Sequence, residues 1–487
     1  MHTLRYISRI IASKNILYLF IGIFICFFTF VAFSRHNNFH SRRLDLGNME
    51  QVVWNVSHGN GFTLTDPMGE NQQSRLAVHA DFLLILLAPL YFFWQDPRTL
   101  ILVQIIVMGL GAFPVFWLAR RVLKSEKIAL VFASVYLLYP PLQRMTLHDF
   151  HAVALSMTFL LFAYWFMETK QYLWFSVFGL LAALGKETEW VTLGLLGVYI
   201  AWRHKKYFFG GLVSIVGFGM FYYLYWYLMP SAISNGKHFA LGYLSDYGDS
   251  QNGIVFGLLQ KPWFVMETLL QPSRLYYYLQ LFLPVGFLSL FSPFSLLFSL
   301  HSILINTLSK NSLMRQIDYQ YTSNIIPFIF VSAIFGFQQV RVWISKISNK
   351  AKRKKIIGSL WMLKTLCVVV AVYMWGEIPL TNQDRFYFFI WSTPEKQSMV
   401  KVRELIRSNA SVSVTNNIGS HFSNREKLYN FPVKATEADY SVVLLGDQYA
   451  WPSGDAQYEA VATLLKSSDY TLILRDGDFY AFEKNRL

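Results

Sequence analysis

About a dozen apolar runs of near-bilayer length punctuate this chain, and no soluble domain of 487 residues has use for so many. Only a helix or a closed barrel satisfies its own backbone in lipid, and a crossing helix needs about 20 mostly apolar residues. Runs at 15–33, 99–119, 128–142, 152–167, 172–185, 189–202, 207–229, 275–291, 293–308, 324–344 and 357–376 read as spans. With 54% hydrophobic and only 15% charged residues, the chain reads as a polytopic, all-α membrane protein. The first run follows Arg5, Arg9 and Lys14. It is too long for a cleavable signal and lacks a small-residue cleavage site, so it reads as a retained signal-anchor.

Loop charge orients such a protein. Residues 377–487 carry 12 Lys/Arg against 14 Asp/Glu, so the first 376 residues account for +16 of a net +14. That is loop basicity rather than a nucleic-acid footprint, and no nucleic-acid partner is expected. If the run His79–Trp94 crossed the membrane, the clusters Arg120–Lys127, Arg203–Lys206 and Lys350–Lys355 would all face outside. If it stays at the interface, all three face the cytoplasm together with the N-terminus. The expectation is therefore about eleven spans in the cytoplasmic (inner) membrane, with one non-spanning apolar segment in the first outer loop, 34–98.

Residues 1–376 form the transmembrane domain on this reading, and 377–487 a small extracytoplasmic α/β domain. In the latter, Val412–Val414, Tyr440–Leu445 and Tyr470–Leu474 read as strands, and Tyr458–Ser467 as a helix. Turns are expected at Asn416-Asn417, Gly446-Asp447 and Asp476-Gly477-Asp478. Cys26 and Cys367 both lie in apolar runs, which argues against a disulfide framework or a cysteine metal site. No Walker loop, dinucleotide fingerprint or G-x-S-x-G elbow occurs.

Four islands of ionisable residues stand among the apolar runs, and the topology puts all of them on the outer face. Charge in or beside a bilayer is costly and usually functional. Asp45 is either a solvated loop carboxylate or helix cap, or a base or cation ligand beside Arg42 and Arg43, with Gln51 on the same helix face. His79 and Asp81 suit a metal or proton-relay pair, or Asp81 caps a helix. In His148-Asp149-Phe150-His151 the two histidines would share a face if helical, and with Asp149 could bind a divalent metal or a phosphate oxygen. A structural cluster tying helices together is the alternative. Lys186, Glu187 and Glu189 form either a buried packing network or a phosphate-facing lysine with a supporting carboxylate.

The motifs Asp45-Leu46-Gly47, Trp54-Asn55, His58-Gly59, Ala88-Pro89-Leu90-Tyr91, Asp149-Phe150-His151 and Lys186-Glu187 resemble, in order and spacing, the DUF2079 family of bacterial and archaeal membrane proteins. The resemblance continues through Tyr319–Pro327 and His421-Phe422-Ser423-Asn424-Arg425. The sequence departs from the family pattern where Thr188 follows Lys186-Glu187 and where Ala152 follows His151. That family is similar in turn to the GT-C superfamily of membrane glycosyltransferases. The resemblance implies sugar transfer from a polyprenyl-phosphate carrier to a glycan, lipid or protein acceptor, with Asp45 matching the superfamily's acidic residue in the first outer loop. On this view Asp45, Asp149, His151, Lys186 and Glu187 carry the chemistry. Arg42, Arg43, His79, Asp81, His148 and Gln51 bind substrate or phosphate, and Asp45, Asp149 and His151 are the candidate ligands of a divalent cation (Mg or Mn). The competing class is a non-catalytic flippase or assembly protein for envelope glycolipids, in which the same ions line a route or pair structurally.

Overall fold

The computed structural model describes residues 2–233, 239–382, 394–447 and 450–485, the side chains of residues 2–13 and of residue 394 excepted. The side chains of Arg5 and Arg9, and parts of the 230–273 loop and the 377–487 region, therefore lie outside what is described. The chain divides into two compact units: Met1–Phe27, Ile105–His148 and Val153–Arg385 in one, Phe28–Gln104, Asp149–Ala152 and Phe386–Leu487 in the other.

The second unit contains a short antiparallel hairpin, β1 (Thr63–Thr65) with β2 (Gln72–Ser74), and a five-stranded sheet. The sheet strands are β3 (Val412–Val414), β4 (Leu428–Asn430), β5 (Tyr440–Leu444), β6 (Tyr470–Asp476) and β7 (Phe479–Lys484), in the order β4-β3-β5-β7-β6. β3 pairs parallel with β4 and β5, whereas β7 runs antiparallel to β5 and β6.

Strand alternation splits the core into two layers. Tyr440, Val442, Phe479 and Ala481 join Met399 and Val402 of helix Pro394–Leu405 on one face. Val443, Leu445, Tyr480 and Phe482 join Val461 and Leu464 of helix Gly454–Lys466 on the other. The three expected strands are present, and the Asp476-Gly477-Asp478 turn closes β6 onto β7 with Gly477 at φ +56°. The last helix starts earlier than its apolar pattern indicates, because the Ser453 side chain caps it by accepting from the Ala456 amide.

Among the described residues, five helices are long and apolar enough to cross a bilayer: Lys14–Asn37, Pro97–Leu123, Tyr207–Ser231, Ile325–Ser345 and Lys350–Trp375. Glu126–Leu137 and Pro140–Leu147, bent by 43°, would make a sixth as one broken span. Ala152–Glu168, Tyr172–Ala183 and Pro293–Leu308 are shorter, and even 17 residues rise only about 25 Å against a hydrocarbon core of about 30 Å. The run at 275–291 leaves the α-helix after Phe282, at Pro284 and at Gly286 with φ +63°. Leu83–Phe92 is half a crossing length, too short to span.

Close backbone approach joins helices Glu189–His204 and Tyr207–Tyr223 in the first unit. A Cβ on Gly210 would lie 2.5 Å from the Ala201 nitrogen, one on Gly197 2.6 Å from the Ser214 nitrogen, and one on Gly217 would strike the Gly194 backbone. Small residues let membrane helices touch where lipid supplies no hydrophobic drive, and the Ser214 hydroxyl donates across the seam to the Gly194 carbonyl at 3.1 Å. Gly219, on the same helix, has nothing within 4 Å of its would-be Cβ. Gly217→Leu is expected to destabilise the purified protein by about 1–3 kcal/mol through overpacking. Gly219→Leu should stay within about 0.5 kcal/mol of wild type. Thermal unfolding of both variants in detergent checks the contrast.

Candidate functional site

Asp45 sits in a widened π-type turn, Arg43–Gly47, that feeds helix Asn48–Ser57. The turn is wide because the Gly47 amide reaches back to the Arg42 carbonyl (3.0 Å). Asn416 holds its start, accepting from the Arg43 amide through its carbonyl (2.9 Å) and from the Leu44 amide through its side chain (3.0 Å). Glycine at 419 is required by the Arg43 stem, whose Cβ would lie 2.6 Å from a Cβ there. Leu46 and Gly47 are buried, whereas the Asp45 carboxylate keeps 31% of its surface.

The 149–152 segment supplies the other half of the site. His148 caps the end of helix Pro140–Leu147 with extended backbone, and the next helix starts at Ala152. His148 and His151 therefore do not share a helical face as the i, i+3 spacing suggested; the chain is extended between two helices. His151 places Nε2 3.5 Å from Asp45 Oδ1, and its Nδ1 meets the Asp149 carbonyl at 2.9 Å. A carbonyl can only accept, so Nδ1 carries the proton and Nε2 turns its remaining valence towards Asp45. Metal-bound histidines are held in this way, with the distal N–H on a backbone carbonyl.

Asp149 is committed elsewhere. Its Oδ1 pairs with Arg35 Nη1 at 2.5 Å, and its Oδ2 accepts from the Arg42 amide at 2.7 Å. It anchors the end of the first long helix and the start of the Asp45 turn, leaving Asp45 and His151 as the pair with donor atoms facing one another. An oxygen and an imidazole nitrogen suit Mn²⁺ better than Mg²⁺, which prefers all-oxygen shells.

Several other candidates serve as staples. Arg43, fully buried, donates to the carbonyls of Leu428 (2.6 Å), Pro67 (3.0 Å) and Asp66 (3.5 Å). Gln51, also fully buried, donates to Thr65 and to the carbonyls of Arg425 and Glu426, and accepts from the Thr65 amide. Asp81 neither caps a helix with its side chain nor faces an open site; it takes a two-pronged bond from buried Arg75, at 3.0 and 2.6 Å. His79 is half-buried, with its amide on the Arg75 carbonyl. His148, Lys186 and Glu187 belong to the other unit. There His148 packs edge-on to Tyr319, Glu187 is buried, and Lys186 lines a cavity of about 50 Å³ with Glu189, Asn306 and Asn324.

Two buried groups near the turn are absent from the candidate set, His421 having entered the sequence reading only as part of a family motif. His421 stacks on His36 at 4.0 Å and donates from Nε2 to the His36 carbonyl (3.0 Å); burial, helped by Arg403, pulls its imidazole down to about 3. Glu50 is fully buried, and burial pushes its carboxyl up to about 8 while Ser423 and Tyr91 pull the other way. The only sequence signal for Glu50 is a lone carboxylate between Met49 and the apolar pair Val52-Val53.

A carboxyl near 8 when folded and near 4.5 when unfolded holds a proton that unfolding releases, so its stabilisation is complete below pH 4.5 and is lost as pH rises through 8. Glu50→Gln keeps the neutral shape without the proton. Its unfolding free energy relative to wild type should therefore grow between pH 5 and 8, by up to about 1.4 kcal/mol per pH unit. Parallel stability curves for the two proteins across that range would remove Glu50 as a buried neutral acid.

Comparison with known proteins follows from this geometry. The family described as "Predicted membrane protein (DUF2079)" matches residues 35–475. The fold is similar to that of ArnT from Cupriavidus metallidurans. The structure bound to undecaprenyl phosphate superposes with a TM-score of 0.53 at 10% identity, covering 96% of this chain and 98% of that one. The apo structure gives 0.51 at 11%, covering 97% and 98%. At such identity the likeness is one of fold. No curated protein matches the chain. The match over residues 35–475 makes this chain a member of the DUF2079 family of membrane proteins, with a fold like that of ArnT.

Proposed function

We propose that this protein is a GT-C-type glycosyltransferase that moves a sugar from a polyprenyl-phosphate carrier to a glycan, lipid or protein acceptor on the outer face of the cytoplasmic membrane. The observation that carries the reading is the Asp45–His151 pair: an accessible carboxylate facing an imidazole nitrogen, in a turn fixed by Asn416 and Asp149. The fold shared with ArnT, one of whose structures holds undecaprenyl phosphate, supports the lipid-phosphate donor.

Asp45 takes the proton of the acceptor hydroxyl as that oxygen attacks the anomeric carbon, and the lipid phosphate departs. Attack by one acceptor opposite one leaving group inverts the anomeric centre. Half-buried Arg42 is the nearest candidate in sequence to steady the phosphate charge. A divalent cation held by Asp45 and His151 would supply Lewis-acid neutralisation of that phosphate. The topology in this proposal keeps the eleven spans and the cytoplasmic N-terminus argued from loop charge, with residues 377–487 as an extracytoplasmic domain.

Purified protein offered a panel of polyprenyl-phosphate sugars, with and without Mn²⁺, is expected to transfer sugar. Asp45→Asn should lower that rate by about 10²–10⁴, the usual worth of a general base, with its thermal midpoint unchanged. Binding of the lipid sugar by wild type without transfer would move the assignment to carrier handling. Transfer undiminished in Asp45→Asn would remove Asp45 as the base.

A further inference from the structure

Far along the chain from the Asp45 turn, the helical unit carries a second polar concavity that the glycosyltransferase reading does not use. It measures about 540 Å³ and lies where helices Ala112–Leu123, Glu126–Leu137 and Ala152–Glu168 contribute to one rim. Arg120, Arg121 and Lys124 line it against a single carboxylate, Glu126, which touches Arg120 only at 3.5 Å. Arg121 spends one Nη on the Glu168 carbonyl at 3.4 Å, and Lys124 takes a left-handed backbone (φ 54°) that ends its helix. The site thus carries an excess of two positive charges.

Its floor is indole. Trp117 and Trp165 lie 5.8 Å apart and both line the cavity. Below them the aromatic surface continues down the helices: Phe113 stacks on Trp117 at 5.7 Å, and Phe162 meets the same ring edge-on at 5.8 Å. Phe113 and Phe162 are only part-buried. Cations at the rim, indoles beneath them and phenyl rings along the shaft reproduce the polarity profile of a lipid: phosphate, glycerol level, acyl chain. A free phosphate would have use for the rim alone.

We propose that this cavity is a binding site for one anionic glycerophospholipid, whose headgroup phosphate meets Arg120, Arg121 and Lys124 while its chains lie along Phe113 and Phe162. The net positive rim selects a phosphate not already neutralised by an amine, so phosphatidylglycerol should bind and phosphatidylethanolamine should not. The seat shares no residue with the proposed sugar-transfer pair and stands whether or not transfer is observed.

Native mass spectrometry of detergent-purified protein, titrated with equal amounts of phosphatidylglycerol and phosphatidylethanolamine, tests it. Wild type is expected to retain one phosphatidylglycerol with at least tenfold preference. The double variant Arg120→Gln/Arg121→Gln should lose about 30-fold in affinity, two cations at about 1 kcal/mol each. Lys127→Gln, which removes one charge from the start of helix Glu126–Leu137 outside the cavity lining, should change it less than threefold. Trp165→Leu keeps every charge and should still weaken binding severalfold, which separates a built seat from diffuse attraction if the double variant fails to fold. Equal retention of the two lipids, an equal loss in Lys127→Gln, unchanged binding in Trp165→Leu, or displacement by millimolar inorganic phosphate would each overturn the proposal.

Discussion

The Asp45 site depends on one neighbouring carboxylate with both of its oxygens engaged. Asp149 binds Arg35 with one oxygen and the Arg42 amide with the other, and its backbone carbonyl receives the proton of His151 Nδ1. Three groups from the end of the first long helix, the start of the Asp45 turn and the 149–152 segment are thereby fixed by one residue. A buried carboxylate left without its partners costs several kcal/mol, so these bonds are expensive to break singly. The geometry of Asp45 relative to His151 is inherited from that arrangement. The Gln104 side chain adds a fourth tie, accepting from the His151 amide at 3.1 Å.

Much of the architecture was legible in the sequence because burial leaves a period. Val412–Val414 and Tyr440–Leu444 are short valine-rich segments followed by the turn signals Asn416-Asn417 and Gly446-Asp447, a pattern that reads as strand. β7 does not read so, since its aromatic run, Phe479–Phe482, has no alternation to betray it until the two core layers are seen. β1, β2 and β4 span three residues each, too few for any period to show. The apolar runs marked membrane helices correctly in kind. Their number was harder to read, because hydropathy does not report where Pro284, Gly286 or Pro293 interrupts the backbone.

The functional residues divide along a different line. A charged or amide side chain in an apolar neighbourhood must have a partner, but the sequence does not say whether that partner is a ligand or a distant carbonyl. Arg43 shows the difficulty: its best acceptor is the Leu428 carbonyl, 385 residues away in the chain. Gln51 and Asp81 are likewise absorbed by the 425–426 turn and by Arg75. All three sit within a few per cent of complete burial, whereas Asp45 keeps nearly a third of its surface. Exposure, a property of the fold, is what separates these staples from the Asp45 carboxylate.

That distinction bears on the Asp45–His151 pair itself. With Nδ1 committed to a carbonyl, a neutral His151 presents a lone pair to the Asp45 oxygen at 3.5 Å, and two lone pairs at that separation repel. A cation shared between the two would turn that repulsion into ligation, with the imidazole held from its far side by the Asp149 carbonyl as metal-bound histidines are. The same bond limits rotation of the ring, so the direction in which Nε2 faces is set by the backbone of residue 149 and not by that residue's side chain.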